Sequence, residues 1–396
     1  MGTPTTPLVL GLGSPGIPNV PTTSVARRAP GITLVTAGLL ASVAPALRAV
    51  EVEAPVVAWG SNRYGVGVVP HSVTRVVNLS AGYDHALALR DDGQVIAWGS
   101  NLDGERNVPA DLGNVVSVHA GDWVSYALRQ DGTLVGWGGG VDRGLVPVPD
   151  HVREVIAVDF ASGSHALVLR RDGTVLGLGN NFAQQVDVPS GLSNVVQVSA
   201  GYGYSLALQE DGTVVAWGAK LPGLRPDLGR PVAMASGRSD SYFLQPDGSI
   251  VHWGRTGETT PPITGIVAIA ASQGALVALR RDGSVVAWPS VDETGSVGRV
   301  PSSLGKATVI TARGDHALAL AGTPRVDAPT LSASRTVSGV AVTFPSQLGR
   351  TYRIETRHPD SQAPWIILGV RSGTSAPVTV NVDGTAEAQF VRVTVY

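Results

Sequence analysis

One unit recurs from Pro55 to Leu320, and it decides what this chain can fold into. An Asp-Gly pair returns at Asp92-Gly93, Asp131-Gly132, Asp172-Gly173, Asp211-Gly212, Asp247-Gly248 and Asp282-Gly283, at spacings of 39, 41, 39, 36 and 35 residues. Five residues past each glycine stand Trp98, Trp137, Leu178, Trp217, Trp253 and Trp288. A period of this length marks a repeat architecture, in which each unit buries its apolar face only against its neighbours.

Within a unit the pattern is that of strands. Asp-Gly between two alternating apolar runs signals a hairpin, because glycine accepts the positive φ that the tight turn requires. Ala86-Leu-Ala-Leu89 before the turn and Val95-Ile-Ala-Trp98 after it have a period of two, as expected of strands with one buried face. No stretch of the repeats carries a sustained helical stripe, so the class is all-β.

Counting the halves predicts the number of units. First halves end at Leu89, Leu128, Leu169, Leu208, Leu244, Leu279 and Leu320; second halves end at Trp59, Trp98, Trp137, Leu178, Trp217, Trp253 and Trp288. The series opens on an orphan second half, Val56 to Gly60, and closes on an orphan first half, Val309 to Leu320. Seven of each, half a unit out of phase, predicts a seven-bladed β-propeller over 55–322. In this reading the N-terminal strand completes the last blade and removes the exposed edges of an open array.

The unit Val76-Val-Asn-Leu-Ser-Ala-Gly82-Tyr-Asp-His85-Ala-Leu-Ala-Leu89, with Trp98-Gly-Ser-Asn101 and Trp59-Gly-Ser-Asn62 in its loops, resembles the repeat of the regulator of chromosome condensation family. The continuation to Val-Pro at Val69-Pro70, Val108-Pro109, Val188-Pro189 and Val300-Pro301 is more similar to that family's secreted bacterial branch, which includes the propeller-type β-lactamase inhibitor. The resemblance implies the propeller and a binding role, with β-lactamase inhibition as one sharper version. It also brings in guanine-nucleotide exchange, the activity of nuclear members. An export signal and the lack of a basic tail argue against that activity here. Ala219 to Arg225 and Arg255 to Pro262 depart from the family loop.

The flanks read differently. Arg27-Arg28, the apolar run Gly31 to Val43 and the small residues of Ala44-Pro-Ala46 and Leu47-Arg-Ala49 describe a secretory signal, within a disordered leader over 1–49. A buried helix and an uncleaved anchor are the alternatives. Gly11-Leu-Gly13-Ser-Pro-Gly16 matches a dinucleotide fingerprint only formally, since Pro15, Pro18 and Pro21 prevent the required helix. After a linker at 323–329, alternating runs at Gly339–Phe344, Thr351–Thr356, Trp365–Gly369, Val378–Val382 and Gln389–Val395 predict a small β-sandwich of the immunoglobulin or fibronectin kind over 330–396.

Composition narrows the chemistry. The absence of cysteine excludes thiolate nucleophiles, disulfides and cysteine-held metals. Lys and Arg number 29 against 31 Asp and Glu, which leaves no basic surplus for nucleic acid. No serine-hydrolase elbow, metalloprotease helix or phosphate-cradling loop occurs. His85, His165 and His316 align at one repeat position, as structural histidines bonding a backbone carbonyl of the Gly-x-x-His turn rather than as a metal or proton relay. The tryptophans read as core, and the aspartates of Asp-Gly as turn residues.

The positions that vary between units remain. Equivalent loops of a propeller gather on one face. Tyr64, Tyr83, Asp84, Asp122, Trp123, Phe182, Tyr202 and Arg238 fall there, and Tyr, Trp and Arg are the usual anchors of protein interfaces. The expectation is an exported, cofactor-free, monomeric scaffold, secreted or at the cell surface, that binds a protein through this face. The alternative is a polysaccharide hydrolase or lyase at the channel mouth, using Asp84, Asp122 and Asp315.

Overall fold

The computed structural model describes residues 8–10, 55–139, 145–161, 165–219, 228–254, 263–289 and 296–322, and six strands between 332 and 395. The signal segment, the linker at 323–329, most of the divergent loop at 219–225 and the divergent loop at 255–262 lie outside the described residues.

Seven three-stranded antiparallel sheets form the blades of a propeller. Blade one holds inner, middle and outer strands at Val76–Ala81, His85–Arg90 and Val95–Gly99. Blades two to six repeat the plan, with inner strands at Val115–Ala120, Val155–Phe160, Val195–Gly201, Ala233–Ser236 and Ile266–Ala271. Blade seven takes its inner and middle strands from Ala307–Arg313 and His316–Ala321. Its outer strand is Val56–Gly60, with Trp59 opposite Ala317.

Each middle-to-outer hairpin turns as its sequence requires. Gly93 has a φ of 84° and Gln94 N donates to Asp92 Oδ1 at 3.1 Å; the aspartate caps the turn while the glycine supplies the left-handed residue. At the other end of the outer strand Gly99, with φ 93°, lies so close to the inner turn that a Cβ would stand 2.5 Å from Asp84 O. Ser100 N then donates to that same carbonyl at 2.8 Å. The inner turn and the loop after the outer strand are thereby tied together on one face.

The middle strands depart from the sequence expectation of one buried face. His85 to Leu89 are all buried, because the blades stack face against face and cover both sides of the middle strand. The alternation instead sorts size. Leu87 and Leu89 pack with Ala127 of blade two, Leu318 of blade seven packs with Ala86 and Ala88, and Leu167 and Leu169 pack with Ala207 of blade four. Large side chains of one sheet nest against small ones of the next, the interdigitation that close-packed interiors require. Burying each such leucine stabilises the fold by roughly 1.5–3 kcal/mol.

Inner strands are joined by side chains that accept the next blade's amides. Asn78 Oδ1 accepts from Val118 N at 2.9 Å, Ser80 Oγ from Ala120 N at 2.9 Å, Asp159 Oδ2 from Ala200 N at 2.9 Å and Thr311 Oγ1 from Ala81 N at 3.2 Å. Gln197 both donates to Met234 O at 2.7 Å and accepts from Met234 N at 2.9 Å.

Beyond the propeller, Ser332–Arg335, Gly339–Phe344 and Val378–Asp383 form one sheet. A second sheet holds Thr351–Arg357, Ile366–Ser372, Gln389–Val395 and the strand Leu8–Leu10.

Candidate functional site: the loop rim and the channel mouth

The rim is built from two sets of loops. The inner turns contribute Tyr83, Asp84, Asp122, Trp123, Tyr202 and Arg238; the loops after the outer strands contribute Tyr64 and Phe182. An asparagine shapes three of these loops. Asn62 Oδ1 accepts from Gly67 N at 2.9 Å, Asn101 Oδ1 from Arg106 N at 2.8 Å and Asn181 Oδ1 from Val186 N at 3.0 Å.

The tips are apolar. Phe182 and Leu102 are each 74% exposed, and Tyr64 and Tyr202 are also exposed. Among the large apolar side chains that the described residues expose, these four stand on the rim; the fifth, Val68, follows on the same loop as Tyr64. Leu102 sits inside the family-like Ser-Asn-Leu-Asp-Gly loop, where no residue type in the sequence marks it as exposed. Tyr64 has a φ of 57°, a left-handed conformation that costs a non-glycine residue of order 1 kcal/mol. Arg63 stacks over its ring at 5.0 Å, and Arg238 over the Tyr202 ring at 5.3 Å.

Other predicted rim residues are less open. Tyr83, Asp84 and Trp123 are half-buried. Tyr83 N donates to Gly121 O of the next blade at 3.0 Å. Desolvation raises the Asp84 carboxyl above its ordinary range; Arg63 opposes this, while Asp315 and Glu105 add to it. Asp122 corrects the expectation of an exposed loop carboxylate, being only 6% exposed.

Asp122 is faced by a residue that the sequence expectation did not include. Arg313 occupies the blade-seven position where blade one has Gly82, at the rim end of an inner strand. Its guanidinium crosses the mouth of the channel. Nη1 lies 3.5 Å from Asp122 Oδ1 of blade two, Nη2 lies 3.5 Å from Asp159 Oδ1 of blade three, and Nη2 donates to Phe160 O. Burial raises the Asp159 carboxyl, against the pull of Arg313 and the amides of Ala200 and Phe160. Beneath lies a channel cavity of about 300 Å³ lined by inner strands of blades three to seven, including Asp159, Gln197, Ser199, Ser236 and Thr311.

The aligned histidines are structural; His316 keeps a turn carbonyl as partner, whereas His85 and His165 meet a serine of the next blade instead. His85 Nε2 meets Ser125 Oγ of the next blade at 2.9 Å, and His165 Nε2 meets Ser205 Oγ at 3.1 Å. Each serine already donates its one hydrogen to a carbonyl, Ser125 to Glu105 O at 2.8 Å and Ser205 to Gln185 O at 2.7 Å. Both histidines are therefore Nε2–H donors. His316 bonds a carbonyl, that of Tyr83 in the next blade, and its Nε2 is buried with no hydrogen-bond partner. Burial lowers His85 to about 3 and His165 and His316 to about 4. Among the described residues no group of three or more His, Cys, Asp or Glu is placed to hold a metal.

The tryptophans at the repeat position are core where they are most enclosed: Trp59, Trp98, Trp137 and Trp253 are buried. Trp59 Nε1 donates to Val297 O, Trp98 Nε1 to Val66 O and Trp137 Nε1 to Glu105 O, all at 2.9 Å.

Seven three-stranded blades with a loop-built rim define the class: an all-β propeller whose variable positions share one face. More particularly, a sequence model of the regulator of chromosome condensation (RCC1) repeat matches residues 76–105 and 195–219. None of the curated protein sequences matches the chain significantly. Among solved structures, Prp20p of Saccharomyces cerevisiae, a yeast RCC1, is similar with a TM-score of 0.57 at 16% identity, over 68% of this chain and 92% of that one. Human WBSCR16 is similar with a TM-score of 0.54 at 18% identity, over 68% and 98%. These likenesses are to the propeller fold. No helix among the described residues is long and apolar enough to cross a membrane.

Proposed function

We propose that this chain is an exported, non-enzymatic propeller scaffold that binds a protein partner through its loop rim. The observation that carries the reading is the exposure of Tyr64, Leu102, Phe182 and Tyr202 on that one face. Arg63 and Arg238 stand over the Tyr64 and Tyr202 rings, and aromatic anchors flanked by arginine suit a protein partner. The carboxylate Asp122, which a hydrolase at the channel mouth would need, is engaged by Arg313 instead, so no specific observation favours the hydrolase reading.

The remaining features complete the proposal. The pairing of Val56–Gly60 with His316–Ala321 closes the ring, the two C-terminal sheets pack as a sandwich, and the segment from Arg27 to Ala49 directs export to the cell surface or beyond. The chain acts as a monomer and needs no cofactor. The fold neighbour Prp20p is described with binding properties to Gsp1p and histones, which is in keeping with protein recognition on this fold. Likeness to the propeller-type β-lactamase inhibitor makes a β-lactamase the first partner to assay. A photo-crosslinking residue at Phe182, compared with one at Asp282 in a hairpin of the opposite face, tests the rim directly.

A further inference from the structure

We infer that Arg313 is the positioning residue of this rim: a latch across the channel mouth that fixes the Asp122–Trp123 turn and the end of the blade-three inner strand from blade seven. The inference rests on the rim reading for its functional meaning, but its geometry stands apart from any partner.

Three observations converge on it. The first is position. The equivalent residues of the other blades are Gly82, Gly121, Ala161, Gly201, Gly237 and Ser272, none able to reach beyond its own turn; only blade seven puts a long side chain there. The second is reach. Neighbouring blades are already joined by amide bonds, such as Ser80 with Ala120, whereas Arg313 skips blade one and ties blade seven to blades two and three. The third is enclosure. The Arg313 side chain is 13% exposed and that of Asp122 is 5% exposed, so the pair is screened little by solvent and salt.

The chemistry suits a latch. A planar guanidinium offers five donors in a fixed fork, and here it addresses two carboxylates and a carbonyl on two separate blades. Asp122 adjoins Trp123, so the ion pair acts on the turn that carries this half-buried aromatic. Arg313 also lines the top of the 300 Å³ cavity and roofs the channel on the rim side. A partner thus meets a preorganised surface, which spares the ordering cost of binding.

Amide hydrogen exchange on the full chain tests this without any partner. Arg313→Met keeps the aliphatic stem and removes the fork; Asp122→Asn removes one target and keeps its shape. Exchange at residues 120–126 and 157–161 is expected to rise at least about tenfold in both variants, with blade-five residues 240–252 unchanged. Arg313→Lys, which keeps the charge, should restore part of the protection. A uniform rise across all blades, or no local change in either variant, would overturn the latch. Loss of the Phe182 crosslink with the exchange pattern intact would instead count against the rim reading alone.

Discussion

His85 of blade one donates its Nε2–H to Ser125 Oγ of blade two at 2.9 Å, and Ser125 passes its own hydrogen to Glu105 O at 2.8 Å. The same relay runs from His165 through Ser205 to Gln185 O. A buried donor chain of this kind fixes the tautomer of the ring. Nitrogen NMR of the imidazoles should show His85 and His165 as Nε2–H tautomers and His316 as the Nδ1–H tautomer. Matching tautomers at all three positions would contradict the assignment.

The seam between blades seven and one lacks this relay. Where Ser125 and Ser205 stand in blades two and four, blade one carries Ala86, fully buried, and His316 Nε2 finds no hydrogen-bond partner. Ala86→Ser supplies a hydroxyl at the position its repeat equivalents already tolerate. Satisfying one buried acceptor should raise unfolding stability by about 1 kcal/mol. The urea midpoint of the variant measures it; a lower midpoint would show that the seam has no room for the oxygen.

Acid should loosen the propeller through the same rings. The unfolded histidines bind protons near pH 6.5, whereas in the fold His85 does so only near 3 and His165 and His316 near 4. Between these values the unfolded chain holds more protons, so stability is complete above pH 6.5 and is lost as pH falls. Each histidine contributes at most about 1.4 kcal/mol per pH unit across that window. The raised carboxyls of Asp84 and Asp159 act in the opposite sense and reduce the net slope. Urea denaturation at pH 7.5 and 4.5 checks the sign.

The rim side chains should be dispensable for folding. Leu102 and Phe182 are each 74% exposed, and exposed substitutions of this kind usually change stability by no more than about 0.5 kcal/mol. The Leu102→Ser, Phe182→Ser double variant should unfold within that margin of the parent by chemical denaturation while losing its partner. A large loss of stability would place these residues in the core of the fold rather than in a recognition surface.

Much of the blade was legible because it is local. Asp-Gly at a fixed offset from tryptophan fixes a hairpin, and the half-unit phase of the strands ending at Trp59 and Leu320 counts the blades. The His-to-Ser pairing was visible in principle as a spacing of 40 residues, but only face-to-face stacking of neighbouring sheets gives that spacing meaning. The burial of Asp122 and the reach of Arg313 depend on the width of the channel, a property of the whole ring that no window of sequence contains. The exposure of Leu102 is a property of how its loop, bridged by the Asn101 bond to Arg106 N, sits on the blade, which the residue types alone do not display.

Recognition through the rim is tested most directly by photo-crosslinking the full chain in its native setting, with the reactive residue at Leu102, at Phe182 or, on the opposite face, at Asp282. One and the same protein is expected to be joined at Leu102 and at Phe182 and to be absent at Asp282. Adducts formed at Asp282 and missing from both rim positions would contradict it.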